Sequence, residues 1–282
     1  MLKSYNENGF FIKKNFISQK KIINIITNFN NIICESLKMN NIDIYKEFNS
    51  DVNNYDSIVN IFHENLKKLF NFDKEIYINV VKSIRRTYDI YSLFINDDIK
   101  ILLKELQINN PSIPTETVLN MDSNSLIINP EYVILPAHQD FTANPSSLDS
   151  IVIWIPLTNI TNDSFPLQII RNTHKNGIFE GTLTKNFYEV NNNEIEKLDN
   201  KLEDVIMNVG DILIFSQFLI HKTKYTKNYD GLRIAVSYRF DNHDEETFIK
   251  RDYPNAYNRV VNRQEPNLGF PSSEYLSNKI FK

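Results

Sequence analysis

The sequence predicts an α+β fold, with helices first and an antiparallel double-sheet β core after them. Apolar residues recur at helical spacing as far as about residue 110, and short β-rich runs separated by turn residues recur from Pro111 to Phe240. No internal repeat or linker divides the two halves. At 282 residues the chain is long enough to bury one full core. The expected organisation is a single domain, with a helical part over about 1–110, a β core over about 111–240 and a C-terminal extension over 241–282.

Gly9-Phe10-Phe11-Ile12 reads as a short strand, and Ser18 is a fitting N-cap for the helix after it. Ile22, Ile25, Ile26, Phe29, Ile32 and Ile33 form that helix's apolar stripe. A second helix is expected over about Asp56 to Phe70, with Ile58, Ile61, Phe62, Leu66 and Leu69 on one side, and a third over about Lys74 to Ile95. These helices are expected to pack on one face of the sheet. His63 has no partner at ligand spacing and reads as a packing or surface histidine. The β-rich runs are Thr117–Met121, Leu126–Asn129, Tyr132–Leu135, Ile151–Leu157, Leu167–Ile170, Ile212–Phe215 and Leu232–Phe240. Asn191 to Asp204 is a polar excursion, either a solvated loop with a short helix or a lid. The tail, with Arg251, Tyr253, Tyr257, Arg259 and Arg263, either folds over the mouth of the barrel or forms an oligomer contact.

Composition narrows the partners. A net charge of −4 and a pI near 5.8 give no general attraction to nucleic acid or anionic membrane. The densest apolar run, Ile151 to Leu157, is too short to span a bilayer. The opening residues contain no continuous apolar run of the kind a secretory signal needs. Cys34 is the only cysteine, so no internal disulfide forms, and a reducing, cytoplasmic setting is expected.

The chemistry is concentrated in His138-Gln139-Asp140, His221 and Arg233. Two imidazoles and one carboxylate are the ligand set of a non-haem Fe(II) site that holds the metal by one face and leaves the other open. His138 and Asp140 are two residues apart, so on an extended strand they share a side, while His221 must arrive on another strand. Arg233 lies on an apolar run with Leu232, Ile234, Val236 and Tyr238, where it could clamp a carboxylate bidentately. An open iron with a buried carboxylate clamp points to an oxygenase that takes a 2-oxo acid as co-substrate. An isolated His-x-Asp is a weak signal, and His221 alone would pass for a core histidine.

These segments, taken in order, resemble the phytanoyl-CoA dioxygenase family of Fe(II)/2-oxoglutarate oxygenases from about Gly9 to Phe240. Gly9 to Ser18 is similar to the family's opening strand and helix, and His138-Gln139-Asp140 matches its H-Q-D. Trp154-Ile155-Pro156-Leu157 resembles its tryptophan-bearing strand, and Pro166 to His174 its P-L-x-V-I-P-G-S-H segment. Gly210 to Phe215 with His221-Lys222-Thr223 matches G-D-x-L-x-F…H-x-S, and Leu232 to Phe240 looks like the strand of the co-substrate arginine. The resemblance implies a double-stranded β-helix (jelly-roll, cupin-like) core. It makes His138, Asp140 and His221 the iron ligands, Arg233 the partner of the distal carboxylate of 2-oxoglutarate, and Thr223 a hydroxyl contact to it. A further polar contact is implied between Asn120 and Asn129. Trp154 is expected in the core, and His174 outside the metal's ligand set.

Arg171-Asn172 replaces the family's usual Pro-Gly and could turn Arg171 toward substrate. The reaction implied is O2-dependent decarboxylation of 2-oxoglutarate to succinate and CO2, coupled to hydroxylation of a small-molecule substrate. Desaturation, ring closure and epimerisation share its start. A non-oxygenase metal enzyme on a cupin-like barrel is the first alternative, and it has no use for Arg233. A catalytically silent binding protein and a protein hydroxylase are the others. Arg171, Arg251, Arg259 and Arg263 with the tyrosines suit a polar or anionic substrate, although surface solvation accounts for arginines equally well.

Overall fold

A computed structural model of the chain describes residues 1–42, 54–127, 135–184, 188–255 and 272–281. Its strands are β1 (Phe10–Lys13), β2 (Pro111–Ser112), β3 (Val118–Asp122), β4 (Ile151–Pro156), β5 (Leu167–Ile169), β6 (Gly181–Leu183), β7 (Tyr188–Val190), β8 (Glu203–Asp204), β9 (Ile212–Ser216), β10 (His221–Thr223) and β11 (Arg233–Asn242). The larger sheet runs β1-β9-β4-β11-β2, with β3 also on β11, and the smaller runs β10-β5-β8. All pairings are antiparallel, and an antiparallel bridge between His138 and His221 continues the smaller sheet on its β10 side. Two facing antiparallel sheets with helices on the outside of the larger one form the expected double-stranded β-helix.

Period-2 alternation assigns each face. Along β11, Ile234, Val236, Tyr238 and Phe240 pack with the helices, as do Ile151, Ile153 and Ile155 of β4 and Ile212 and Ile214 of β9. The intervening residues Ala235, Val152, Trp154, Leu213 and Phe215 form a second cluster with Leu167 and Ile169 of the smaller sheet. Arg233, Ser237 and Arg239 share the parity of Ala235, so β11 presents two arginines to the space between the sheets.

The helices are α1 (Leu2–Asn8), α2 (Gln19–Met39), α3 (Tyr55–Phe72), α4 (Lys74–Ile84), α5 (Tyr88–Ser92), α6 (Asp97–Glu105), α7 (Asn192–Glu196), α8 (Glu246–Lys250) and α9 (Ser273–Tyr275), the last continuing as a π-turn over Leu276–Ile280. Ser18 caps α2 by accepting from the Lys21 amide, and the stripe read from sequence is buried except Ile32, which packs at its margin. The expected third helix ends early. Thr117 Oγ1 donates to the Arg85 carbonyl at 2.6 Å and Arg85 pairs with Glu116, so contacts from the chain entering β3 divide it into α4 and α5. Helices α1 and α6 were not expected. Leu126 lies in a 3-10 turn (Asn124–Leu126) that Ile127 ends, and Ile128 and Asn129, with Tyr132 to Ile134, fall outside the described residues. The polar excursion holds the short α7 and then β8.

Two local devices fix the ends of strands near the site. Gly9 closes α1 at φ +82°, and a Cβ there would lie 2.5 Å from His174 Nδ1, so both conformation and space select glycine. Asp211, in the Gly210-Asp211 turn, accepts from the Asn15 and Asn208 amides and from Lys14 Nζ, tying the exit of β1 to the entry of β9.

Behind the site, Arg251 donates to the Ser146 carbonyl and to Glu245 at 2.9 Å each, with its guanidinium over the Phe141 ring. It is therefore a structural tie in this region. Asp241 accepts from the Ser147 amide in the same region. Burial, with Asp149 and Glu245 nearby, pushes the Asp241 carboxyl up to about 8. A folded-state value above the unfolded one means that stability is full below pH ~4 and is lost as pH rises toward 8. Asp241→Asn keeps an oxygen acceptor and removes the ionisation. It is expected to be more stable than wild type by about 2 kcal/mol or more at pH 8, the two converging near pH ~4 in thermal melts. Equal midpoints at pH 8 would contradict this.

Among the described residues, no helix is long and apolar enough to cross a membrane.

Candidate metal centre

His138, Gln139 and Asp140 lie where the chain leaves the smaller sheet. His138 and His221 exchange backbone hydrogen bonds of 3.0 and 3.1 Å, which sets the two imidazoles side by side with ring centroids 4.2 Å apart. Gln139 is extended, and a 3-10 turn begins at Asp140. The His-x-Asp thus straddles a strand end rather than lying wholly on a strand. The turn is closed by Thr142 Oγ1 donating to the Gln139 carbonyl and by the Ala143 and Asn144 amides donating to Asp140 O.

The fully buried Gln139 is sequestered from the ligand cluster by its own bonds. Its Nε2 donates to the Gly177 and Phe218 carbonyls at 2.8 and 2.6 Å, and its Oε1 accepts from the Phe179 amide at 3.0 Å. The middle residue of the motif therefore fastens the ligand-bearing turn to two other segments.

His138, Asp140 and His221 offer ligand atoms within 4.8 Å of one another, all three residues buried. Asp140 Oδ1 lies 3.4 Å from His138 Nε2 and 3.7 Å from His221 Nε2. Each imidazole has its Nδ1 against a backbone carbonyl, His138 on Pro136 at 2.7 Å and His221 on Leu219 at 2.9 Å. A carbonyl only accepts, so Nδ1 carries the proton in both rings and each Nε2 directs a lone pair at the cluster. Burial, then the neighbouring His138, push His221 down to about 4, which keeps its ring neutral at pH 7. Neutral imidazoles with tethered Nδ1–H groups are the form a divalent metal requires.

Arg239 completes the cluster and was not singled out from sequence. Its Nε and a terminal nitrogen both donate to Asp140 Oδ2, at 3.0 and 2.6 Å. That leaves Oδ1 as the oxygen facing the imidazoles. Burial opposes the charge on Asp140, but the Arg239 guanidinium outweighs it and holds the carboxyl well below the usual carboxylate range. The cluster thus gathers one carboxylate and two imidazoles about a common point, a donor set that fits a borderline divalent ion such as Fe(II).

Arg233 begins β11 on the same face as Arg239 and is buried. Its Nε donates to Asp122 Oδ2 at 2.7 Å, a terminal nitrogen donates to the same oxygen, and the other terminal nitrogen donates to the Phe165 carbonyl at 3.1 Å. Trp154 is in the inter-sheet cluster, with the guanidinium carbon 6.0 Å from its ring. Thr223 is buried two residues beyond His221 on β10. His174 is buried with Nε2 on the Asn6 carbonyl at 3.1 Å, and His63 contacts Ser125. His243 packs beside Phe248 and Tyr253. Arg171 is half exposed, paired with Glu203 and Asn8, so the departure from Pro-Gly directs it to the surface. Arg259 and Arg263 lie outside the described residues.

The family model for phytanoyl-CoA dioxygenase (PhyH) matches residues 5–233. Among solved structures, EctD from S. alaskensis, with 2-oxoglutarate and 5-hydroxyectoine, is similar at 10% identity and a TM-score of 0.54 over 86% of this chain and 76% of that one. The epimerase SnoN, in complex with Fe3+, alpha ketoglutarate and nogalamycin RO, is similar at 11% identity and a TM-score of 0.51 over 86% of this chain and 82% of that one. At such identities these likenesses show the fold. No curated protein matches the sequence.

Proposed function

Because the chain belongs to the phytanoyl-CoA dioxygenase family, we propose that it is a non-haem Fe(II)/2-oxoglutarate-dependent dioxygenase that hydroxylates an unactivated C–H of a small polar metabolite. The observation that carries this reading is the trio of buried donors with both Nδ1 atoms tethered and Asp140 restrained by Arg239. His138, Asp140 and His221 would hold Fe(II), and Arg233 with Thr223 would receive the distal carboxylate of 2-oxoglutarate. When bound, iron with O2 supplies oxidising power by decarboxylation of 2-oxoglutarate to succinate and CO2.

The chain's own residues supply placement. The tethered imidazoles direct their lone pairs without rotating, Arg239 keeps one oxygen of Asp140 out of the ligand set, and Trp154, Leu213 and Phe215 make the inter-sheet space apolar. Helices and the larger sheet share one core, which supports treating the chain as one domain. The single buried Cys34 supports a reducing, cytoplasmic setting. Two of the solved likenesses carry small molecules, nogalamycin RO and 5-hydroxyectoine, which supports a small-molecule substrate here.

Purified protein with Fe(II), ascorbate and 2-oxoglutarate is expected to release succinate slowly, only in the presence of O2, and faster when a candidate polar metabolite is added. His138→Ala should abolish that release. O2-independent succinate formation, or release that survives in the variant, would contradict the reading.

A further inference from the structure

Arg233 is 1% exposed, so its charge must be met inside the fold. It is met by Asp122, its Cα partner across the β3–β11 pairing, and by the Phe165 carbonyl. Phe165 sits at φ +52°, a region that bulky residues rarely adopt. Such a conformation persists where the surroundings over-determine it, and the Phe165 ring is wedged against Tyr225 and Tyr229, with centroids at 6.0 and 5.7 Å. Two acceptors on different segments, one of them held in an unusual backbone conformation, thus converge on one guanidinium.

Which donors they take is informative. A guanidinium has five N–H groups. Asp122 takes Nε and one N–H of a terminal nitrogen through the single oxygen Oδ2, and Phe165 takes one N–H of the other. Among the described residues, five less three leaves two, one on each terminal nitrogen. A carboxylate can be received by either of two N–H forks on a guanidinium, the Nε side or the pair of terminal nitrogens. Asp122 engages the Nε side. It also falls in the 120–129 stretch where a polar contact to co-substrate is implied, yet a carboxylate repels a second carboxylate and can act on it only through Arg233.

We propose that Asp122 is a positioning residue for the co-substrate: it fixes the rotation of Arg233 so that the remaining N–H on each terminal nitrogen is held for the far carboxylate of a 2-oxo diacid. The inference rests on the reading of Arg233 as the clamp. Both oriented bonds end on one oxygen, so geometry matters more than the charge of Asp122. Asparagine, with its carbonyl oxygen in that place, is a conservative replacement; alanine removes the acceptor, and glutamate keeps the charge while displacing the oxygen by one methylene.

The test is an anaerobic equilibrium titration of the Fe(II)-loaded protein with 2-oxoglutarate, read by the visible charge-transfer band of the chelate, with Fe(II) affinity measured separately. Asp122→Ala and Asp122→Glu are each expected to raise the 2-oxoglutarate Kd about tenfold or more, and Asp122→Asn by less than about threefold, with Fe(II) affinity unchanged in all three. An alanine variant that binds 2-oxoglutarate as well as or better than wild type would overturn the proposal. Should the alanine variant fail to fold, the glutamate and asparagine variants decide, and weaker binding in asparagine than in glutamate would overturn it. Failure of the underlying reading is separately visible, because Arg233→Ala would then leave the 2-oxoglutarate Kd unchanged.

Discussion

His221→Ala is expected to weaken Fe(II) binding on the order of a thousandfold and to abolish O2-dependent succinate release. Three donors would hold the ion, so loss of one would remove a coordinate bond and leave only the two ligands of the His-x-Asp segment. His221 lies on the smaller sheet and packs against the larger one. Its ring lies 4.2 Å from that of His138 and 4.9 Å from Phe215, and its Nδ1 is on the Leu219 carbonyl. The backbone bonds between His138 and His221 do not involve the side chain, so the fold is expected to persist in the variant. Isothermal titration of metal-free protein with Fe(II) under nitrogen, beside circular dichroism, checks both statements. Wild-type affinity in a folded His221→Ala protein would remove the residue from the site.

Arg239→Ala has the second-largest expected effect, and it acts before any metal binds. Arg239 and Asp140 are a buried pair, and removing one partner leaves an uncompensated carboxylate, a loss of about 3–5 kcal/mol in metal-free protein at neutral pH. Asp140 also loses the contact that reserves Oδ1 for the imidazoles. Restraint of this kind on a ligand is worth roughly 10–100-fold in metal affinity. Chemical denaturation of the metal-free variant and its Fe(II) Kd are the two readouts. Arg239→Lys is expected to recover part of the stability and little of the affinity, since an ammonium restores charge but not the planar fork. If both quantities match wild type, Arg239 is a bystander.

The legible parts of the sequence were those whose signal is local. The Ile22–Ile33 stripe and the apolar run Ile151–Leu157 each report a single element, and both elements form as expected. His138, Asp140 and His221 were legible because their type and order match a pattern. The division of the expected third helix was not legible, because it depends on Thr117 and Glu116 reaching Arg85 from about thirty residues away. Arg239 had a readable trace: it stands six residues after Arg233, on the same face of β11 with only Ala235 and Ser237 between them. What it touches could not be read, because that depends on the turn placing Asp140 opposite the middle of β11. Asp122 was hidden for the same reason, since its meaning comes from cross-strand register. For Arg171 and Arg251 the sequence leaves substrate contact and surface solvation both open, and the fold supplies Glu203 and Glu245 as their partners.

This site is expected to bind Fe(II) and then to chelate 2-oxoglutarate. The most direct measurement is an anaerobic titration of metal-free protein, first with Fe(II) and then with 2-oxoglutarate, followed by visible absorption. The account predicts a weak charge-transfer band that appears only when both are present and saturates at one equivalent of iron, and that is absent in Asp140→Ala. Fe(II) binding at His138, Asp140 and His221 with no band at saturating 2-oxoglutarate would contradict it and make the protein a different metal enzyme on the same barrel.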